Sequence, residues 1–171
     1  MGNEKNENLN AAAVAPTKPG RKPFYAEGIQ FECQGSGKCC TSRGSYGYVF
    51  LNSIDQNRLA AFFKMTVPAF LKRYCGDKDG TKYVLDPREL GITGIPEGDC
   101  LFLEGNRCKV YEARPEHCRT WPFWPENMNP KTWKNEIATY CPGVGKGKIH
   151  TREEIEAVLA AQIAHDAADE E

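Results

Sequence analysis

The stretch RCKVYEARPEHCRTWP, residues 107–122, predicts two short elements that each carry a cysteine. Cys108 lies in a predicted hairpin whose short turn contains glycine. Cys118 lies on a predicted short helix, which Pro115 can open because proline is tolerated in the first helical turn. Pro122 ends that helix. The stretch therefore predicts a hairpin followed by a helix, with one thiol on each.

Eight cysteines are the unusual feature of this 171-residue chain. Cys75 follows a predicted helix end and is interpreted as a small packed hydrophobic residue. The other seven fall in four short segments and are the candidate metal ligands: Cys33, Cys39, Cys40, Cys100, Cys108, Cys118 and Cys141. Because the N-terminal sequence MGNEKNENLN lacks the apolar stretch of a secretory signal, we expect a cytoplasmic protein with reduced thiols. This expectation favours a metal site over a disulfide framework.

The spacing of these cysteines disfavours zinc ribbons and zinc fingers, since the chain contains no Cys-x2-Cys pair and no His-x3-5-His pair. Thiolates suit zinc, copper(I) and iron–sulfur clusters. A single zinc ion takes four ligands, so seven cysteines predict either a polynuclear centre or some cysteines that do not bind metal. Soft ligands without a histidine half-site favour iron as the cofactor, in an iron–sulfur cluster, with zinc as the alternative.

Two arginines flank Cys118 and are candidate cofactor-binding residues: Arg114 and Arg119. Guanidinium groups can offset the negative charge of clustered thiolates and donate hydrogen bonds to sulfur, which tunes a metal centre. The alternative is that both are ordinary surface arginines.

The rest of the chain predicts a small single α+β domain of helices and short hairpins organised around this cysteine-ligated centre. A net charge of −1 disfavours nucleic acid as a partner, and no apolar run approaches the ~20 residues of a membrane-spanning helix. The sequence is compatible with a protein partner but does not identify one. The predicted organisation is a disordered tail over 1–22, a cysteine-cluster metal-binding domain over 23–150, and an amphipathic helix with an acidic end over 151–171.

Local patterns predict the individual elements. A helix over 54–64 has Ser53 as its N-cap and Gln56 as the capping-box partner, and a second helix over 67–74 has Thr66 as its cap. Further predictions are strands over 46–51 and 82–85, a turn at Asp79–Gly80, a loop through Gly143, Gly145 and Gly147, and a C-terminal helix capped by Thr151 with Glu154. Residues 131–139 are ambiguous between helix and strand.

Four segments together form a recognisable pattern: Phe31-x-Cys33 with Cys39-Cys40, Cys100-Leu-Phe-Leu, the stretch over 107–122, and Cys141-Pro-Gly. This pattern resembles the YkgJ-type cysteine-cluster family, which is described as a zinc- or iron-chelating domain. The resemblance covers about residues 24–150, and its most specific part runs from Cys108 to Pro122. It implies metal chelation by the clustered cysteines, but it does not imply a reaction.

One position departs from the family pattern, because the family's second cysteine falls at Ser36. A serine is a poorer ligand for a soft metal. The chain therefore either uses seven cysteines or leaves an open coordination position there, which water or a substrate could fill. Cys75 is a conceivable replacement for the missing thiol.

Three classes of function follow from these residues. The first is a metal centre in electron transfer, redox sensing or metal handling, and the second is a zinc-stabilised module that contacts a protein. The third is a metal-dependent enzyme that uses the opening at Ser36. No catalytic residue is assigned, since the chain has no nucleophile elbow, phosphate-binding glycine loop or dinucleotide fingerprint. An accessory role beside an oxidoreductase stays open.

Overall fold

The computed structural model describes residues 22–41, 49–85, 87–92 and 99–168. The tail expected over 1–22 lies outside these ranges except for Lys22, and so does the acidic end over 169–171. The described chain combines helices with short antiparallel strands, which confirms the α+β class. No helix in these ranges is long and apolar enough to cross a membrane.

The strands pair into three small sheets, with the orders β1-β7, β2-β4-β3 and β5-β6. The strands are β1 (Ile29–Phe31), β2 (Phe50–Leu51), β3 (Cys75–Lys78), β4 (Thr81–Val84), β5 (Leu103–Glu104), β6 (Arg107–Cys108) and β7 (Val144–His150). The α-helices are α1 (Ser53–Phe62), α2 (Val67–Tyr74), α3 (Glu116–Thr120), α4 (Pro130–Thr132), α5 (Ala138–Tyr140) and α6 (Arg152–Ala168). A π-helical segment, Trp133–Ile137, joins α4 to α5, and 3-10 turns span Lys38–Cys40, Pro87–Leu90, Tyr111–Ala113 and Pro125–Asn127.

Helix α1 begins one residue earlier than predicted, because its N-cap is Asn52 rather than Ser53. The Asn52 Oδ1 accepts the backbone N–H of Asp55 at 2.7 Å. Gln56 forms no capping box and donates its side-chain amide to the Leu51 carbonyl at 3.0 Å. Asparagine and serine are both good N-caps, so two adjacent candidates leave the starting residue open in the sequence.

Helix α2 and its N-cap are confirmed, since the Thr66 hydroxyl accepts the Ala69 N–H at 3.4 Å. The chain then enters β3 directly at Cys75, which pairs with Val84. The predicted turn at Asp79–Gly80 joins β3 to β4. Of the strand predicted over 46–51, the described part is β2, and residues 46–48 lie outside the described ranges.

Of the loop predicted through the three glycines after Cys141, Gly143 does lie in a turn, whereas Gly145 and Gly147 lie in β7, which pairs with β1, so the prediction is wrong for these two. Gly145 and Gly147 adopt left-handed conformations with φ of 77° and 70°, and the pairing contains a bulge. Glycine is depleted in strands, and long-range pairing with β1 overrides that local preference. The ambiguous segment over 131–139 is helical.

The capping box that begins α6 is confirmed. The Thr151 hydroxyl accepts the Glu154 N–H at 3.2 Å, and the Glu154 carboxylate accepts the Thr151 N–H at 3.1 Å. This reciprocal pair satisfies two backbone donors at the helix start.

Buried side chains form two separate hydrophobic clusters. The terminal core joins β1 to α6 and consists of Tyr25, Phe31, Phe123, Met128, Trp133, Ile137, Ile155 and Leu159. The central core joins α1 and α2 to the middle of the chain and consists of Leu51, Leu59, Ala60, Phe70, Val84, Phe102, Val110 and Ala113. The cysteine segments contact both cores, so they lie where the two clusters meet.

Candidate metal centre

A cavity of about 360 Å³ collects most of the predicted ligands. Its lining draws on both cores, with Ile137 from the terminal core and Phe102 and Val110 from the central core. The predicted ligands among its lining residues are Cys33, Cys39, Cys40, Cys100, Cys108 and Cys118. The seventh, Cys141, is not among the lining residues and packs against the terminal core.

The turn Lys38–Cys40 presents two adjacent thiols. The Sγ atoms of Cys39 and Cys40 lie 3.9 Å apart, with Cys39 exposed and Cys40 half-buried. The Tyr140 hydroxyl donates to the Lys38 carbonyl at 2.6 Å, and the Cys100 N–H donates to the Cys40 carbonyl at 2.7 Å. Two distant segments therefore hold the backbone of this turn, one through a side-chain hydroxyl and one through a backbone N–H.

The hairpin β5-β6 places Cys108 but not Cys100. Cys108 pairs with Leu103 in the hairpin, whereas Cys100 lies before β5. Cys100 belongs to a turn before the hairpin, which the Leu103 N–H closes by donating to the Cys100 carbonyl at 2.9 Å. This turn shortens the strands to two residues each and still brings both thiols to the cavity.

Helix α3 carries Cys118, and a buried ion pair on α1 fixes where this helix begins. The Asp55 Oδ1 accepts the Glu116 N–H at 3.0 Å and the Arg58 Nη1–H at 3.0 Å. The same Arg58 Nη1 donates to the Arg114 carbonyl at 3.0 Å. Asp55 is 1% exposed, and burial raises the pKa of its carboxyl. We call this arrangement the Asp55–Arg58 clamp, and it ties α1 to the segment that positions Cys118.

The pairing of β1 with β7 brings the first and last cysteine segments together. The Glu32 N–H donates to the Gly143 carbonyl at 3.2 Å, beside Cys33 and Cys141. A Cβ on Gly143 would lie 2.5 Å from the Glu32 carbonyl oxygen, so the position requires glycine. The Cys-Pro-Gly segment is therefore fixed against the backbone next to Cys33.

The thiols influence one another's pKa. A hydrogen bond from Cys40 lowers the pKa of Cys39 to about 7 and that of Cys108 to about 7. Cys40 supplies these hydrogen bonds, which raise its own pKa above the usual range, the bond to Cys108 most of all. Burial raises the pKa of Cys100 to about 11 and that of Cys118 still further. A thiolate-binding cation would replace these protons.

Of the two predicted arginines, the structure brings one to the cavity. Arg114 lines it, and the Arg114 charge contributes to lowering the pKa of Cys39 and of Cys108. Its guanidinium carbon lies 3.8 Å from the Tyr111 ring centroid, and its Nε donates to the Tyr111 carbonyl at 3.0 Å. Arg119 is exposed and is not among the lining residues.

Comparison with known proteins gives a match to one protein family. Residues 32–142, more than half of the chain, match the family described as "CxxCxxCC: Putative zinc- or iron-chelating domain". The chain belongs to the CxxCxxCC family.

Two relatives come from Methanocaldococcus jannaschii. "Uncharacterized protein MJ0661" is 27% identical over 150 residues, which cover 84% of this chain and 75% of the relative. "Uncharacterized protein MJ0939" is 28% identical over 137 residues, which cover 77% of this chain and 43% of that longer relative. No solved structure gives a significant match.

Ser36 occupies the second cysteine position of the CxxCxxCC motif, and the structure places it beside the cavity rather than in its lining. The Ser36 hydroxyl lies 3.5 Å from the Lys38 N–H and accepts from it. The glycines on both sides, Gly35 and Gly37, do line the cavity. The hydroxyl therefore supports the start of the Lys38–Cys40 turn.

Cys75 lies apart from the CxxCxxCC cysteines. It is half-buried against the central core and is not among the cavity-lining residues. Burial raises the pKa of its thiol to about 11. This environment suits the packed hydrophobic residue that the sequence predicts.

Thiols gathered in one cavity are the donor set that a soft metal requires. Tetrahedral Zn–S bonds of about 2.3 Å place two sulfurs roughly 3.8 Å apart, close to the 3.9 Å between Cys39 and Cys40. Among the described residues, no three Cys, His, Asp or Glu side chains already form a group that could hold a metal ion. Binding therefore requires cysteine side chains to rotate toward a common point.

Sequence reasoning missed two groups that build this site. The Asp55–Arg58 clamp had one signal in the sequence, an oppositely charged pair at i,i+3 on a predicted helix. Tyr140 had no local signal, because its acceptor, the Lys38 carbonyl, is 102 residues away.

Proposed function

We propose that this protein binds iron through its clustered cysteines, as an iron–sulfur cluster, and acts in electron transfer, redox sensing or metal handling. The supporting observation is the single cavity lined by six thiols. One zinc ion takes four ligands, whereas a cluster takes several thiolates and adds its own sulfide. When bound, the cluster would supply one-electron chemistry. The protein's own residues would hold it and limit its contact with water.

Cys33, Cys39, Cys40, Cys100, Cys108 and Cys118 are the proposed ligands, with Cys141 as the seventh candidate. Arg114 supports the proposal because its positive charge lies among thiols that become anionic on binding metal. Cys39 is the most exposed of these cysteines, so exchange of metal or electrons with a protein partner would take place on its side of the cavity.

A second candidate function is a zinc-stabilised module that binds a protein partner without redox chemistry. The 3.9 Å separation of the Cys39 and Cys40 sulfurs favours this reading, because it suits two ligands of one tetrahedral ion. Zinc would then join the two cores and contribute to folding.

The test is metal and acid-labile sulfide analysis, with an ultraviolet–visible spectrum, of protein purified without oxygen. Iron with matching sulfide and a broad visible absorption supports the cluster. Zinc with a blank visible spectrum supports the second candidate, and absence of both metals contradicts both.

Matched cysteine variants assign the ligands. Cys118→Ser removes a thiol from the cavity and should lower the metal content. Cys75→Ser removes a half-buried thiol outside it and should leave the metal content unchanged. Full metal occupancy in Cys118→Ser would exclude this thiol as a required ligand.

A further inference from the structure

Trp121 carries the one buried side-chain nitrogen or oxygen in the described part of the chain that lacks a hydrogen-bond partner, its indole Nε1. Buried donors are paired in the great majority of cases, so an unpaired one calls for a missing acceptor. Trp121 lines the cysteine cavity and directly follows α3, the helix that carries Cys118. A group bound in the cavity could therefore supply the missing acceptor.

The neighbouring Trp124 shows that this environment can satisfy an indole from the chain itself. The Trp124 Nε1–H donates to the His117 carbonyl at 3.0 Å and lies 3.2 Å from the Thr120 hydroxyl oxygen. The two indole rings stand edge to face with centroids 4.8 Å apart. The Trp124 indole N–H is thus paired with residues of α3, whereas that of Trp121, which lines the same cavity, is not paired.

The chemistry of the cavity indicates which acceptor would fill this gap. A neutral thiol is a weak acceptor, whereas a metal-bound sulfur carries negative charge and accepts N–H hydrogen bonds strongly. Six cysteines line the same cavity as Trp121. An acceptor would therefore be created there when metal binds and the thiols lose their protons.

We propose that the Trp121 indole N–H donates a hydrogen bond to a metal-bound sulfur of the centre. This inference rests on the proposed function, because it needs a metal held by the cysteines. The bond withdraws electron density from the sulfur, so it stabilises the loaded state and would raise the reduction potential of a redox-active metal. Trp121 is then a residue that contacts the cofactor, and its N–H is paired only in the loaded protein.

Indole NMR tests this directly, because the chain has three tryptophans and so gives three indole N–H signals. The full chain, labelled with 15N, is compared metal-free under reducing conditions and loaded with 113Cd²⁺, a diamagnetic thiolate-binding ion. Loading should move the Trp121 signal downfield and slow its hydrogen exchange by at least about tenfold, more than for the other two indoles. Coupling between that proton and 113Cd would demonstrate the hydrogen bond.

Two outcomes overturn the inference and are distinguishable. If metal analysis shows bound cadmium while the Trp121 signal and its exchange rate stay unchanged, the hydrogen bond does not exist and the metal site stands. If the protein retains no cadmium, zinc or iron, the proposed function fails and this inference fails with it.

Two tryptophan variants separate a bond to the metal centre from ordinary packing. Trp121→Phe removes an unpaired donor from the metal-free protein and loses only ring packing, so without metal it should lower the melting temperature less than Trp124→Phe does. The same change should speed metal release to a chelator by about tenfold in the loaded protein. Trp124→Phe removes a paired donor and should lower the metal-free melting temperature. A Trp121→Phe variant that releases metal at the wild-type rate would contradict the inference.

Discussion

Two glycines in the loop before Cys39 share a backbone conformation but differ in their surroundings. Gly35 and Gly37 have φ of 61° and 69°, in the left-handed region where a side chain costs about 1–2 kcal/mol. A Cβ on Gly37 would lie 2.8 Å from the Asn106 carbonyl oxygen, whereas a Cβ on Gly35 would have no neighbour within 4 Å. Gly37 is therefore where the Cys39–Cys40 turn packs closely on the turn of the β5-β6 hairpin.

We expect Gly37→Ala to lower metal retention, because relief of the contact with Asn106 moves the Cys39–Cys40 turn away from Cys108. Gly35→Ala is the matched control, since it carries the same backbone cost without the contact. Metal content after competition with a chelator measures the difference. Equal retention in the two variants would show that this close packing does not position the ligands.

At the residue scale, the sequence predicts which side chains are chemically suited to a metal but not all of their positions. Cysteine spacing and the family pattern identify the six thiols that reach the cavity. The same reasoning treats Cys141 and Arg119 as equivalent to the others, yet neither is among the lining residues. The orientation of a side chain on a short helix or beside a strand depends on how that element packs against the two cores, and cysteine spacing does not reveal this packing.

The main feature at the element scale is the clamp between α1 and the start of α3. Helix α3 is only five residues long, too short to be stable from its own hydrogen bonds. The Asp55 carboxylate accepts its first N–H, and Arg58 donates to the Arg114 carbonyl, two residues before the helix begins. The position of Cys118 therefore depends on two residues that lie about sixty positions earlier in the chain.

Asp55→Ala should destabilise the protein by about 1.5–3 kcal/mol, because it removes the acceptor of the Glu116 N–H and the carboxylate that pairs with Arg58. Asp55→Asn keeps one acceptor oxygen and should lose less. We also expect Asp55→Ala to lower metal content, as α3 is no longer fixed. Denaturant unfolding and metal analysis of the same samples measure both effects.

Glu156→Ala is the control for that prediction, since it removes an exposed helical ion pair with Arg152. Exposed pairs of this kind contribute little, so stability and metal content should stay close to wild type. If Asp55→Ala behaves like Glu156→Ala, the clamp does not position the helix.

Elements with a strong local signal were predictable, and those defined by distant partners were not. Helix α2 and the capping box of α6 follow from Thr66 and from Thr151 with Glu154, whose partners are within three residues. Strand β7 contains glycines that predict a loop, and it forms because β1 lies alongside it more than a hundred residues away. Hydrogen bonds to a distant strand leave no pattern in the neighbouring residues from which the strand could be predicted.

In the whole molecule, residues of both hydrophobic cores line the cysteine cavity. Cys33 and Cys141 pack against the terminal core, and Cys100 and Cys108 pack against the central core. A metal bound by thiols from both sides would cross-link the two clusters. Metal binding and the cooperativity of folding should therefore be coupled.

Removing the metal should lower the melting temperature by about 5–10 °C when free metal is near a hundredfold above its Kd, since that excess contributes about 2.7 kcal/mol. The loaded protein should unfold in one transition, whereas the metal-free protein should unfold more broadly because its cores separate independently. Differential scanning calorimetry before and after chelation measures both quantities. Cys118→Ser should abolish the difference in melting temperature between the loaded and the metal-free protein. Cys75→Ser should lower both melting temperatures and preserve the difference between them. An unchanged midpoint after verified metal loss would mean that the cores are joined by protein contacts alone.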